Sequence, residues 1–327
     1  MSRGDCAIAV EIGGTALRIG IVDREGHLSR SVRLPSSELY DQTQATERLL
    51  ARITEFLWEA RTSLDTCSGI GIAAAGYVDN EAKKMVVASN LGWRNFPLGI
   101  EVEDLTALPV AMDKDTNMAA LGELSARGEE SPSSFIYAAI GTGVGGAIVH
   151  ERQLLRGRKN SGGDFGHVHA GGSTKCGCGL TGCLETVAGG IAIARRARNE
   201  IAQGKPTIMK DMVSGVVKDI SAETVARAAE LGDSLAEEIL VEASKAVGIA
   251  LVNVIRMVGT EAVIIGGSLG VAEPVFTNIK DYVESNSVFP DTDLPKVQVL
   301  RASLGETSAL VGAGLSVFNL TNPLESH

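Results

Sequence analysis

One pattern, met twice, constrains this chain more than any other feature: an apolar run, a turn of glycine and threonine, then a second apolar run. The first copy runs from Ala7 to Ile12, turns through Gly13, Gly14 and Thr15, and continues from Leu17 to Asp23. The second runs from Phe135 to Ile140, turns through Gly141, Thr142 and Gly143, and continues to Val149. Apolar runs bounded by glycine read as strands joined in a hairpin, and two distant copies imply a weak internal duplication. Around them the pattern alternates. A helix is expected over about Thr43–Ser63, a strand over Ser68–Ala74 and a loop at Asn90–Trp93. Further on come a long helix over about Ser234–Val258, a strand at Ala262–Ile265 that runs into Gly266 and Gly267, and a last helix over Glu306–Leu320. Such alternation predicts an α/β protein, and 327 residues suit two lobes of ordinary size.

Composition narrows the function classes. Hydrophobic residues make up 44% and charged residues 21%, a globular balance with no run long enough for a membrane span. Met1 to Asp5 lead directly into the first strand, so no secretory leader is expected and the cytoplasm is the expected location. The net charge of −10 and the lack of a basic run argue against nucleic acid. An acidic chain also draws no free nucleotide from a distance, so a nucleotide site would rest on backbone amides and a metal ion. Of the five cysteines, Cys6 and Cys67 read as buried thiols, while Cys176, Cys178 and Cys183 cluster as metal thiolates do.

Glycine lets the backbone approach a phosphate closely, while its amides and a threonine hydroxyl donate hydrogen bonds. Tight hairpins need glycine too, so each turn alone carries both readings, and their repetition favours a pair that grips one triphosphate. Gly141 to Gly146 also match G-x-G-x-x-G, with Asp164 downstream for a ribose. That fingerprint requires a helix next, and residues 147–155 read as strand, which sets the dinucleotide reading aside. No Walker-type G-x-x-x-x-G-K-[ST] occurs. Asp113, Lys114, Asp115, Thr116 and Asn117 precede a helical run; they read either as a capping cluster or as the source of a catalytic carboxylate, Asp115, for a hydroxyl substrate. His167, Cys176, Cys178 and Cys183, spaced H-x8-C-x-C-x4-C among Gly177, Gly179 and Gly182, suit a tetrahedral structural zinc. Unliganded buried cysteines or a redox pair are the other reading.

Together these segments resemble the ROK (repressor, open reading frame, kinase) family over nearly the whole chain. The resemblance rests on the Gly13-Gly14-Thr15 hairpin, Gly163 to His167, Cys176 to Glu185, and Gly312 to Gly314. It implies the two-lobed actin-like ATPase fold shared by hexokinase and heat-shock ATPases (ribonuclease H-like). Residues 1–115 would form a small lobe to which helix 306–327 returns, and residues 116–305 a large lobe with a zinc loop at 157–190.

The resemblance further implies ATP-dependent phosphorylation of a hexose, at the 6-hydroxyl, with Asp115 as base. Asn90, Lys114, Asp115, Asp164, His167 and Glu185 would contact the sugar. Gly13, Gly14, Thr15, Thr142 and Gly143 would hold phosphates, and Gly266 and Gly267 would lie near the adenosine. Glu11 would serve magnesium, and His167, Cys176, Cys178 and Cys183 zinc, in a homodimer or homotetramer. The chain departs from the family pattern at Glu11, where aspartate is usual, at Lys114, where asparagine is usual, and at Asp164, where glutamate is usual. A lysine donates but cannot accept, and beside Asp115 it is expected to lower that carboxyl's pKa. These changes leave the particular sugar open and keep a second reading: a sugar-sensing member with weak or no kinase activity. Family repressors carry an added helix-turn-helix, for which no room is expected before the first hairpin at residue 7.

Overall fold

The computed structural model describes residues 4–287 and 295–321. It divides into two compact units, one of Met1–Ser131, Leu154–Gly162 and Thr307–His327, the other of Pro132–Gln153 and Gly163–Glu306. The expected boundary after residue 115 therefore lies too early. Helix Asp115–Ala126 belongs to the first unit, because its Met118 and Gly122 backbones press against Ser308 and Gly312 of the terminal helix. Residues 154–162 also join the first unit rather than the second.

In the first unit, β1 (Cys6–Ile12), β2 (Ala16–Asp23), β3 (Leu28–Pro35), β4 (Cys67–Ala74) and β8 (Val110–Lys114) form a sheet ordered β3-β2-β1-β4-β8. A smaller sheet holds β5 (Tyr77–Asp79), β6 (Lys84–Ala88) and β7 (Trp93–Phe96). The β1–β2 and β2–β3 pairs are antiparallel, whereas β1–β4 and β4–β8 are parallel. Central β1 is buried on both faces from Cys6 to Val10, which is why it reads as a continuous apolar run; edge strand β3 is mostly exposed and polar. One face packs against α1 (Ala45–Glu59) and α2 (Leu98–Thr106). The other receives the terminal helix, Ser308–Thr321, whose Val317 and Phe318 pack with Ala7 and Ala111. That helix approaches so closely that a Cβ on Gly71 of β4 would overlap the Ala313 carbonyl. The expected extension of this helix over residues 322–327 lies outside the described residues. Helix α3 (Asp115–Ala126) follows β8 without a loop.

The second unit repeats the plan. Strands β9 (Phe135–Ile140), β10 (Val144–His150), β11 (Gln153–Leu154), β12 (Ala262–Gly266) and β13 (Gln298–Arg301) are ordered β11-β10-β9-β12-β13. Again an antiparallel hairpin, β9–β10, continues into two parallel strands. Helices α4 (Glu185–Ala188), α5 (Gly190–Ala202), α6 (Met209–Met212), α7 (Ala222–Glu230), α8 (Ser234–Val258) and α9 (Glu273–Asn286) complete the unit. The long α8 has the limits its sequence announces. Asp233 accepts from the Ala236 amide at 2.9 Å at its start, and Gly259, at φ 69°, supplies the left-handed residue that ends it. No helix among the described residues is long and apolar enough to cross a membrane.

Candidate active site

In open sheets with parallel strands, ligand-binding loops gather beyond the carboxyl ends of those strands. In the first unit β1, β4 and β8 run parallel, and ladder register places Glu11, Ala73 and Asp113 in one row and Ile12, Ala74 and Lys114 in the next. The turn Gly13–Thr15 follows β1 directly and is closed by the Gly13 amide donating to the Ala16 carbonyl at 2.9 Å. Asn90 rests against this turn: a Cβ on Gly14 would lie 2.9 Å from the Asn90 Cβ. Thus the loop expected to contact a sugar and the turn expected to contact a phosphate are neighbours.

Asp115 is the first residue of α3 and is partly buried. It does not cap the helix from outside; Lys114 occupies the N-cap without a side-chain cap. Its Oδ1 accepts from the Thr116 amide at 2.8 Å. Desolvation by the surrounding protein dominates and pushes the carboxyl up to about 6, against the opposing pull of the Thr116 amide and the Lys114 ammonium. Lys114 does pull this pKa down, as the sequence expects, but burial outweighs it. Lys114 itself is buried, and its Nζ donates to the Gly162 carbonyl at 2.6 Å.

A network that no sequence spacing announced braces this segment. The buried Asp113 carboxylate accepts from the Lys114 amide at 2.7 Å, Asn117 Nδ2 at 2.8 Å and Asn160 Nδ2 at 2.6 Å. Its other oxygen takes Arg156 Nε at 2.9 Å. Asn160 also donates to the Val78 carbonyl at 3.0 Å. The network explains why residues 154–162 join the first unit, and a fully satisfied buried network of this kind holds its members in one geometry. Glu11 pairs across the hairpin with Arg18, whose Nη1 lies 3.1 Å from both carboxylate oxygens.

In the second unit Gly141 to Gly143 link β9 to β10, and the turn is seated on the start of α5, where the Gly190 and Ile191 amides donate to the Gly141 and Thr142 carbonyls. Gly266 and Gly267 end the neighbouring β12; Gly267, at φ 78°, packs on the Ile140 backbone so tightly that a Cβ would come within 2.3 Å of its carbonyl. Glu185 joins two motifs that lie apart in sequence. Its Oε2 accepts from the Val144 amide at 3.1 Å, and its Oε1 lies 3.8 Å from Cys176 Sγ. Asp164 and His167 share one short helical turn, with the His167 amide donating to the Asp164 carbonyl at 3.0 Å.

The loop after His167 folds back on itself through bridges His169–Cys183 and Lys175–Thr181. Candidate ligand atoms of His167, Cys176, Cys178 and Cys183 all lie within 4.8 Å of one another. Cys176 Sγ is 3.7 Å from His167 Nδ1, and Cys178 Sγ is 3.6 Å from Cys183 Sγ. Bonds of roughly 2.0–2.3 Å to a tetrahedral zinc give ligand separations of about 3.3–3.8 Å, so this donor set fits the ion. Burial, followed by hydrogen bonds with Cys178 and Cys176, pushes the Cys183 thiol up to about 12. Protein contacts alone therefore do not sustain three thiolates here, and a dication would supply the missing charge.

Two five-stranded sheets, each with a glycine hairpin running into parallel strands, define the actin-like ATPase fold. Residues 7–318 match the model of the ROK family. The chain belongs to that family. It is 29% identical over 322 residues to a glucokinase of Halalkalibacterium halodurans, covering 97% of this chain and 96% of the relative. A solved structure of a ROK family glucokinase from Streptomyces griseus, in complex with glucose and AMPPNP, is similar with a TM-score of 0.83 at 29% identity, over 94% of this chain and 97% of that one. A ROK family transcriptional regulator, a homologue of the Escherichia coli MLC protein, is similar with a TM-score of 0.81 at 26% identity, over 98% of this chain and 79% of that one.

Proposed function

We propose that this chain is an ATP-dependent sugar kinase that transfers the γ-phosphoryl group to a hexose hydroxyl, at the 6-position, with Asp115 as the base. The observation that carries the reading is the Asp115 carboxyl itself: anchored by the Thr116 amide at the end of β8, and raised by desolvation to about 6, where a base is ionised at neutral pH yet still basic. The glucokinase relatives support the substrate class. Asp115 orients the sugar hydroxyl and takes its proton as the oxygen attacks phosphorus; the Gly13–Thr15 and Thr142–Gly143 backbones hold phosphate oxygens, and Gly266 and Gly267 lie against the adenosine. Asn90, Lys114, Asp164, His167 and Glu185 complete the sugar contacts in this reading. Magnesium, served by Glu11, would neutralise phosphate charge when bound. His167 and the Cys176, Cys178 and Cys183 thiolates would hold a structural zinc, and the second ring nitrogen of His167 would then be left for a sugar hydroxyl.

A coupled ADP-release assay over a panel of hexoses and N-acetylhexosamines tests the proposal. Asp115→Asn is expected to keep sugar binding and lose roughly two to four powers of ten in turnover; unchanged turnover rejects Asp115 as base. The regulator likeness and the Arg18–Glu11 pair, which competes with magnesium for the carboxylate, favour one second reading, a sugar sensor with weak or no kinase activity. Sugar binding without ADP release by the unaltered protein would select it.

A further inference from the structure

The thiols of Cys6 and Cys67 lie outside the site described above and form a pair of their own. The residues stand directly opposite each other in the parallel β1–β4 ladder, which places their Cα atoms roughly 4.8 Å apart, within disulfide range. The ladder shifts register between Cys6 and Ile8, and the two Sγ atoms lie 3.6 Å apart. Both thiols are free and buried. Neither thiol lines the adjoining surface cavity, but two residues that they touch do. A surface cavity of about 690 Å³ is lined by Ser63 and Thr66 together with Arg30, Arg61 and Thr62. The backbone carbonyls of those first two residues are the ones the thiols face, Cys67 Sγ to Ser63 O at 3.6 Å and Cys6 Sγ to Thr66 O at 4.0 Å.

We propose that Cys6 and Cys67 are a redox modification site, closed to an intramolecular disulfide by a small hydroperoxide that reaches the pair when the segment 63–66 opens. The contact with Cys67 draws the Cys6 pKa down to about 7, so Cys6 is the attacking thiolate. Its sulfur attacks one peroxide oxygen; the S–O bond forms, the O–O bond breaks, and the departing alkoxide or hydroxide takes a proton. The product at Cys6 is a sulfenic acid. Cys67 sulfur then attacks Cys6 Sγ; the S–S bond forms, the S–O bond breaks, and hydroxide leaves with the Cys67 proton as water. In balance, two thiols and one hydroperoxide give one disulfide, one alcohol (water when the oxidant is hydrogen peroxide) and one water. The bond staples the amino ends of β1 and β4 and closes the chain between them, adding stability without touching a residue of the proposed active site.

The test is hydrogen peroxide titration of the full, metal-loaded protein, followed by alkylation, non-reducing trypsin digestion and mass spectrometry. The expected product joins the peptides Gly4–Arg18 and Thr62–Lys83 at a mass two hydrogens below their sum. It disappears with dithiothreitol and accompanies a rise in thermal midpoint on the order of 5 °C. Cys67→Ala should give no such product and should instead accumulate a dimedone-reactive sulfenic acid at Cys6; Cys6→Ala should leave Cys67 unoxidised. The proposal is overturned if Cys6 and Cys67 stay fully alkylatable at peroxide levels that oxidise exposed Cys178, or if either is found joined to a different cysteine.

Discussion

Replacing Asp115 with asparagine should make the protein more stable at neutral pH while removing its turnover. Burial raises the carboxyl from 3.8 to about 6, so the folded state holds this proton more tightly than the unfolded chain does. A group raised in this way favours folding below about pH 4, and that advantage is lost as pH climbs through about 6. At pH 7.5 the folded protein thus carries an ionised, poorly hydrated carboxylate. Two pKa units correspond to about 3 kcal/mol for a fully dry group; Asp115 keeps partial contact with solvent, which reduces the figure to about 1–2 kcal/mol. Asparagine keeps the oxygen that accepts from the Thr116 amide, so little is lost in exchange. For a unit of this size the gain corresponds to roughly 2–6 °C in midpoint. Thermal and urea unfolding of both proteins at pH 7.5 and pH 5 measures it, with the gain at pH 5 expected to fall to about half. A variant less stable than the parent, or a gain that ignores pH, would refute the account of a strained catalytic carboxylate.

Other substitutions separate stability from chemistry. Asp113→Ala takes one of two acceptors from each of the Asn117 and Asn160 amides and the ion-pair partner from the partly exposed Arg156, and should cost about 2–3 kcal/mol by urea denaturation. Gly143→Ala places a methyl 2.2 Å from Glu185 Oε2, the end of a flexible side chain. It should therefore cost only about 1 kcal/mol in stability but displace the carboxylate from the Val144 amide, and steady-state kinetics should show a larger loss in kcat/KM than in thermal midpoint. Elemental analysis should find about one zinc per chain, and Cys178→Ser should lower both metal content and midpoint; metal-free native protein would reject the zinc assignment.

Much of this architecture was legible in residue order because it depends on local rules. The glycine hairpins, the limits of α8 and the turn after β12 follow from apolar runs, caps and left-handed glycines, which act over a few residues. The cysteine loop likewise announced its own cluster, since its ligands are close in sequence and its glycines bend the chain between them. Longer-range outcomes were not written in any segment. Nothing near Asp113 points to Asn160 or Arg156, and nothing near Lys114 points to the Gly162 carbonyl. Packing against the terminal helix moved α3 into the first unit. The Lys114 contribution to the Asp115 pKa is visible in sequence, whereas the larger opposing effect of burial is not. Sequence alone determined which residue types could do this chemistry and where the chain turns; only the tertiary structure decided which carboxylate is braced and which is desolvated, because hydration is lost to atoms brought in from distant parts of the chain.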